Sequence, residues 1–600
     1  MKRTISKLLL TAGIAAVMLS ACSKVPEESK YIPKEAGVVL ELNAKQISQK
    51  LITNGLTMDK LMEAAQSKDT ASKITKAWKD AANSGVDLSS NFFMSVVLGD
   101  DKNAYVEING SLTDAAKFEA YLKANLKSYD LKTGKDFKFT YDTESHGLIT
   151  WNNKAVIYLR HLNTNRLNDI PGYMDKPADE GAEADTAAAA AAVVSPVAAV
   201  TTDLPESAAA LVTTADHLYH MKENETAGSL EPFKKLLKEN ADMGFFFNVQ
   251  AMMNSNAAGM TALPGNFKKL MEGSFATGTA NFEKGKILVN TNSYMGKEML
   301  AIFKKYGNKE IDISMLEKYP SDNVTGFISY AFDFHMIGEI IKSTGTDGLV
   351  NMMLSQRSGL TMDDLLNAFD GQLVYVASDF QIERKPNPYF DGDTIEKPNA
   401  KWIFNMKVAN KDAFNKVMSS PMFTGMLVKQ GDKYVLASPE LAASFPAMSL
   451  TEKSVTLGSD SVLLDQYLAG KGQIKLPEGV ASKAKGATLA GYLDIAKLAK
   501  TIPTEKADED ERPLLIRAQN LFKDMTFSAH KISGDVQTGE IVLNFKDQDK
   551  NSLVQLVEFG TEAAKLAQAK KDKRAKQEAA DKAAEDSLYG AIPMDSAVTR

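Results

Sequence analysis

One order of elements recurs along this 600-residue chain, and that recurrence constrains its fold more than any single motif. Four segments share a layout: a Gly or Ala, an apolar run of strand character, an Asn or Asp, then an apolar-periodic helix. They are GVVLELNAKQISQKL (37–51), GFFFNVQAMM (244–253), GFISYAFDFHMIGEII (326–341) and ATLAGYLDIAKLAK (487–500). Asn43, Asn248, Asp333 and Asp494 stand at the junctions. There a short polar side chain suits an N-cap, accepting a backbone N–H that the first helical turn leaves unpaired.

Asn43 and Asn248 are 205 residues apart, Asp333 and Asp494 only 161. The longer interval holds 171–210, an Ala-, acid- and Pro-rich stretch without periodicity that reads as a disordered insertion. Without it the intervals nearly match. Other segments then correspond in order. FFMSVVLG (92–99) matches QLVYVAS (372–378), and AYVEING with the following helix (104–126) matches WIFNMKVAN with its helix (402–420). HGLITWNNKAVIYLR (146–160) matches MLVKQGDKYVLAS (426–438). Alternating apolar residues around Gly285 and Gly539 signal a hairpin near the end of each half. The expected fold is α+β: two tandem related units, 31–310 and 311–567, each a mostly antiparallel sheet with helices on one face. The remainder, 568–600, reads as a charged helix and a disordered tail.

Cys22 is the single cysteine. Before it, Lys2, Arg3 and Lys7 precede a short apolar run, Leu8 to Leu19, and then Ser20 and Ala21. That is the layout of a signal peptide over 1–21, its apolar run shorter than a spanning helix needs. Leu19-Ser20-Ala21-Cys22 resembles the lipobox of bacterial lipoproteins. The resemblance implies a diacylglycerol on the Cys22 sulfur, cleavage before Cys22 and acylation of the new amine. Several acyl chains on one residue would anchor the chain without a transmembrane helix, with 22–36 as a tether. Glu27 and Glu28 resemble the acidic export signals of Bacteroides-type surface lipoproteins, so the expected location is the outer membrane, facing periplasm or surface. With one cysteine there is no disulfide framework and no cysteine-based metal site.

The lipobox, the Tyr31-Ile-Pro33 approach to the first strand and the recurring strand–Asn/Asp–helix segments resemble an uncharacterised domain-of-unknown-function family of long Bacteroides-type lipoproteins. That resemblance implies no catalytic residue and no cofactor. The net charge is −6, or −9 once Lys2, Arg3 and Lys7 are removed, and no basic cluster suggests a nucleic-acid partner. The expected partners are the membrane, through acylated Cys22, and an envelope protein or polysaccharide.

Candidate sites are few. Lys132-Thr-Gly134, Ser321-Asp-Asn323 and Ser482-Lys-Ala-Lys485 spell the elements of penicillin-recognising enzymes, but in reversed chain order. His217 and His220 share a helix face at i,i+3 without a third ligand, and HExxH is absent. Asp391 and Asp393 form an acidic turn lacking the full calcium-loop pattern. No phosphate-binding glycine loop occurs. The function expected on these grounds is a non-enzymatic binding or scaffold module. Two alternatives stand beside it: a hydrolase with a scattered site, and a lipid or lipoprotein carrier, which would need a long apolar cavity.

Overall fold

The computed structural model describes residues 25–56, 83–99, 104–162, 204–254, 265–387 and 394–589, apart from 128, 506 and 510. Cys22, Asp391, Asp393 and residues 171–203 lie outside the described residues. The chain's described residues form a mixed helix and antiparallel-sheet protein built on one continuous sheet of twenty strands.

The first ten strands are β1 (Ala36–Asn43), β2 (Asn91–Val97), β3 (Tyr105–Ser111), β4 (Lys132–Thr133), β5 (Lys138–Asp142), β6 (Gly147–Trp151), β7 (Ala155–His161), β8 (Met243–Asn248), β9 (Phe275–Glu283) and β10 (Lys286–Tyr294). The next five are β11 (Val324–Ala331), β12 (Phe369–Pro386), β13 (Thr394–Val408), β14 (Leu427–Gln430) and β15 (Lys433–Leu436). The last five are β16 (Ala447–Thr451), β17 (Ser454–Gly458), β18 (Ala487–Leu493), β19 (Phe522–His530) and β20 (Val536–Phe545).

The first ten pair in the order β4-β5-β6-β7-β3-β2-β1-β8-β9-β10. The last ten pair in the order β14-β15-β16-β17-β13-β12-β11-β18-β19-β20. Adding ten to each strand number of the first order gives the second. The two meet where β10 pairs antiparallel with β20, from Lys286↔Asn544 to Tyr294↔Val536. The outer edges are β4 and β14, two and four residues long. Register matches as well as order. The β1–β2 ladder slips between Ala36 and Val38, and the β11–β12 ladder slips between Val324 and Gly326. Beyond the slip, Val38↔Phe247 to Leu42↔Met243 parallels Gly326↔Leu493 to Tyr330↔Leu489.

This register changes two readings made from sequence. HGLITW and AVIYLR form β6 and β7, whose places in the second order belong to β16 and β17 and not to the 426–438 segment. Asn43 is level with Ala331, so Asp333 lies two residues further along. Asn43 Oδ1 accepts from Gln46 N at 3.1 Å and Asp494 Oδ1 from Lys497 N at 2.9 Å, as N-caps do. Asn248 Oδ1 accepts from Ala251 N at 3.0 Å, and Asp333 Oδ1 from His335 N at 2.9 Å.

The helices that shape the sheet are α1 (Ala44–Thr53), α2 (Ala115–Asn125), α3 (Glu206–His220), α4 (Glu231–Lys238), α5 (Lys297–Tyr306), α6 (His335–Ser343), α7 (Lys411–Met418), α8 (Ser461–Leu468) and α9 (Ser552–Tyr589). The start of α3 takes Glu206 to Ala210 out of the stretch read as disordered. α9 carries the tail helix to Tyr589.

Helices do not keep to one face. α4 packs Phe233, Leu236 and Leu237 on Val39, Phe93 and Phe246. α3 packs Leu211 and Leu218 on Tyr105, Ile157 and Leu159, and α8 packs Leu464 and Tyr467 on Phe327, Val374 and Ile403. These three cover one face. On the other face, among the described residues, helices stand at the margins. α2 places Phe118 and Leu122 against Trp151, Ile149 and Val156. α7 places Phe414 and Val417 against Val408, Val455 and Leu457. α5 and α6 place Ile302 and Met336 against Tyr330 and Leu373.

Candidate binding face

Side chains alternate across a strand, so each register line of direct partners lies on one face. One line runs Phe92, Leu42, Met243, Ala280 and Val289 through the first ten strands. It crosses the junction at Val289↔Ile541 and continues through Phe527, Gly491, Ile328, Tyr375 and Phe404. Over eleven strands it carries no ionisable group except a tyrosine. It lies on the face bordered by α2, α5, α6 and α7.

The adjacent line, on the face covered by α3, α4 and α8, has the opposite character. It runs Asn109, Phe93, Glu41, Gly244, Thr279, Asn290 and Glu540, then Ser528, Ala490, Ser329, Val374, Asn405 and Thr456. Polar residues thus sit among the core side chains under the helices, whereas the open side is lined by apolar residues. Leu42, Ile328, Tyr375 and Ile541 remain 38%, 39%, 38% and 37% exposed. Fully burying one such side chain is worth about 1.5–3 kcal/mol, so a bare apolar sheet face forgoes stabilisation unless something covers it.

The open face is also smoothed. A Cβ at Gly491 would stand 2.1 Å from the Phe527 ring, one at Gly110 2.7 Å from Phe92, and one at Gly147 2.3 Å from Tyr158. These aromatic rings lie over glycines on neighbouring strands instead of projecting outward.

The covered face holds two buried glutamates. Glu41 accepts from Asn91 Nδ2 at 2.6 Å, and burial, reinforced by the Glu28 carboxylate, pushes it up to about 8. Glu107 accepts from Ser95 Oγ and Asn109 Nδ2, each at 2.8 Å, and burial pushes it up to about 7. Asn109 Oδ1 beside it is buried with no hydrogen-bond partner.

The residues singled out from sequence do not converge. Lys132 and Thr133 form the edge strand β4, while Ser321 and Asn323, in the loop before β11, donate to Asp379 of β12. Ser482 Oγ donates to Gly479 O in a short helix. The three penicillin-type elements thus stand on separate parts of the fold. His217 is exposed, whereas His220 pairs with Asp136 through Nε2 at 2.9 Å and contacts the Asp216 carbonyl through Nδ1. The Asp136 hydrogen bond holds the His220 pKa above the ordinary histidine value. Asp136 lines a cavity of about 660 Å³ between α2 and the β4–β5 and β6–β7 turns, with Glu119, Lys123, Lys135 and Asn153. His335 spends Nδ1 on Asp333 and Nε2 on Asn367, which leaves neither nitrogen to activate a nucleophile. Among the described residues no group of three or more His, Cys, Asp or Glu could hold a metal ion, and no helix is long and apolar enough to cross a membrane.

The open face escaped sequence reading. Its signal was the alternation in VVLELN, NFFMSVV and FSAH, which shows two unlike faces without showing which one helices cover.

No family model matches the chain, and no curated protein matches it. Among solved structures, crystal forms III and IV of TP0453 are similar at TM-score 0.23 and 6% identity, covering 47% of this chain and 88% and 85% of theirs. Crystal form I is similar at TM-score 0.21 and 7% identity, covering 46% and 81%.

Proposed function

We propose that this chain is a non-enzymatic binding module of the bacterial envelope, held to the outer membrane through acylated Cys22, with the open apolar face of its sheet as the binding surface. The observation that carries the reading is the apolar line from Phe92 to Phe404, which faces outward over eleven strands while α3, α4 and α8 cover the opposite face. The matching pairing orders of β1–β10 and β11–β20 support two tandem related units, which together make one surface of twice the width.

Two measurements test this. A Cys22→Ser chain loses palmitate labelling and membrane partitioning; retention of both counts against the anchor. A photo-crosslinking side chain placed at Tyr375, on the open face, yields adducts in the native envelope. The same group at Val462, 65% exposed on α8, does not. Equal yields at both positions defeat the open face as the binding surface.

A further inference from the structure

We infer that the occupant of the open face is the acyl portion of individual lipid molecules, held in a trough that the two halves form jointly. This rests on the open face being the binding surface and names what binds there.

Three observations select acyl chains over other occupants. The first is chemical. Between β3 and β13 the face presents mainly Val, Leu, Ile, Met, Phe and small residues; its side-chain donors and acceptors are confined to Tyr330, Tyr375, Trp402, Thr291, Ser293 and Gln537. The backbone N–H and C=O groups there are taken up by ladders on both sides of each strand. A glycan or peptide laid across this surface would lose most of its hydrogen bonds to water with few replacements, which is costly. A hydrocarbon chain has none to lose.

The second is shape. The twelve strands from β3 to β13 span about 50 Å at the usual strand spacing. α2 stands on Ile149 and Val156 at one margin and α7 on Val455 and Leu457 at the other, while α5 and α6 rise over Tyr330 and Leu373. A helix with its side chains is about 10 Å thick. The floor is therefore recessed, and neither a flat bilayer nor a second copy of the sheet reaches it face to face. A lipid removed from the bilayer does.

The third is texture. Phe527 over Gly491 and Phe92 over Gly110 lie along the floor, so a chain crossing those strands meets flat rings there.

The test uses the full mature chain with Cys22→Ser, so that its own acyl groups do not compete. A fluorescent probe, 11-dansylaminoundecanoic acid, is titrated and then displaced with oleate. Lipid extracted from the freshly purified protein is analysed by mass spectrometry. Saturable micromolar binding, displacement by oleate and co-purified diacyl lipid are expected. Ile328→Lys combined with Ile541→Lys should weaken probe binding at least tenfold, and Val462→Lys should leave it unchanged. Circular dichroism melts confirm that each variant is folded. If the double variant unfolds, the single Tyr375→Glu change replaces it.

Wild-type protein that takes up no probe and carries no lipid overturns the inference, as does binding unaffected by the floor variants. Flotation with phosphatidylethanolamine vesicles without extraction of lipid also overturns it, in favour of a bilayer-resting face. Adducts at Tyr375 that contain peptide leave the open face standing as a binding surface and overturn only the lipid occupant.

Discussion

Gly491 and Phe527 are direct partners across β18 and β19, and the phenyl ring occupies the place where any side chain at 491 would begin. Glycine inside a strand ordinarily weakens it. Here it lets an aromatic ring lie along the sheet and keeps the floor of the trough low.

Replacing Gly491 with Val should therefore destabilise the fold by about 1–3 kcal/mol, the usual range for forcing atoms into an occupied site. The urea midpoint falls while its slope stays constant. Gly560→Ala provides the contrast. Gly560 lies within α9 and a Cβ there meets nothing within 4 Å, so the change should stabilise by roughly 0.5–1 kcal/mol. Equal effects of the two substitutions would refute the steric account.

Glu41 and Glu107 make stability depend on pH with a definite sign. Their ordinary value is 4.5, raised in the folded chain to about 8 and about 7. Below pH 4.5 both are protonated whether folded or not, and they impose no pH-dependent cost. Above it the unfolded chain releases protons that the folded chain keeps, so stability falls as pH rises and levels off beyond pH 8. Glu41→Gln with Glu107→Gln should flatten that decline and leave the variant more stable than the parent at pH 8.5. Thermal melts from pH 5 to 9 measure it. Parallel curves for parent and variant would show that these groups are not the source.

Asn43 joins two elements. Its Oδ1 caps α1, and its Nδ2 donates to Asn240 Oδ1 at 2.9 Å. Asn43→Ala should cost about 1–2 kcal/mol, near the upper end for a lost cap. Asp114→Ala, which removes an exposed cap from α2, should cost about 1 kcal/mol. Chemical denaturation of the two variants orders them.

The β10–β20 ladder is where the two halves meet, with nine residue pairs. Residues 23–310 and 311–600, expressed as separate polypeptides in one cell, should co-purify in equal amounts. Val289→Pro removes a backbone donor from the middle of that junction and should abolish recovery of the pair. Undiminished recovery with the proline would mean that contacts elsewhere hold the halves together.

Much of the architecture was legible in the chain. The strand segments around Asn43, Asn248 and Asp494 were identifiable because apolar alternation ended at a capping residue, a local signal. Asp333 misled by two residues, since spacing along the chain cannot see a register set by neighbouring strands. The same blindness placed β6 and β7 opposite the wrong segment. The buried Glu107 gave no warning either. Its register counterpart is Ile403, and only the neighbouring strands show that a carboxylate occupies a position filled elsewhere by a core aliphatic. The candidate site was hidden for a related reason. Which face of a strand is covered depends on helices far away in sequence, and here the uncovered face is apolar as well.

The two ends of the sheet bear on how such a surface survives at high local concentration. An unpaired strand edge templates the addition of another chain, and natural sheets blunt their edges with short strands and lysines. Twenty strands here terminate in Lys132–Thr133 at one end and Leu427–Gln430, with Lys429, at the other. Neither offers enough ladder to seed fibril growth. The protein can thus hold a wide greasy surface beside its own copies while remaining a discrete particle.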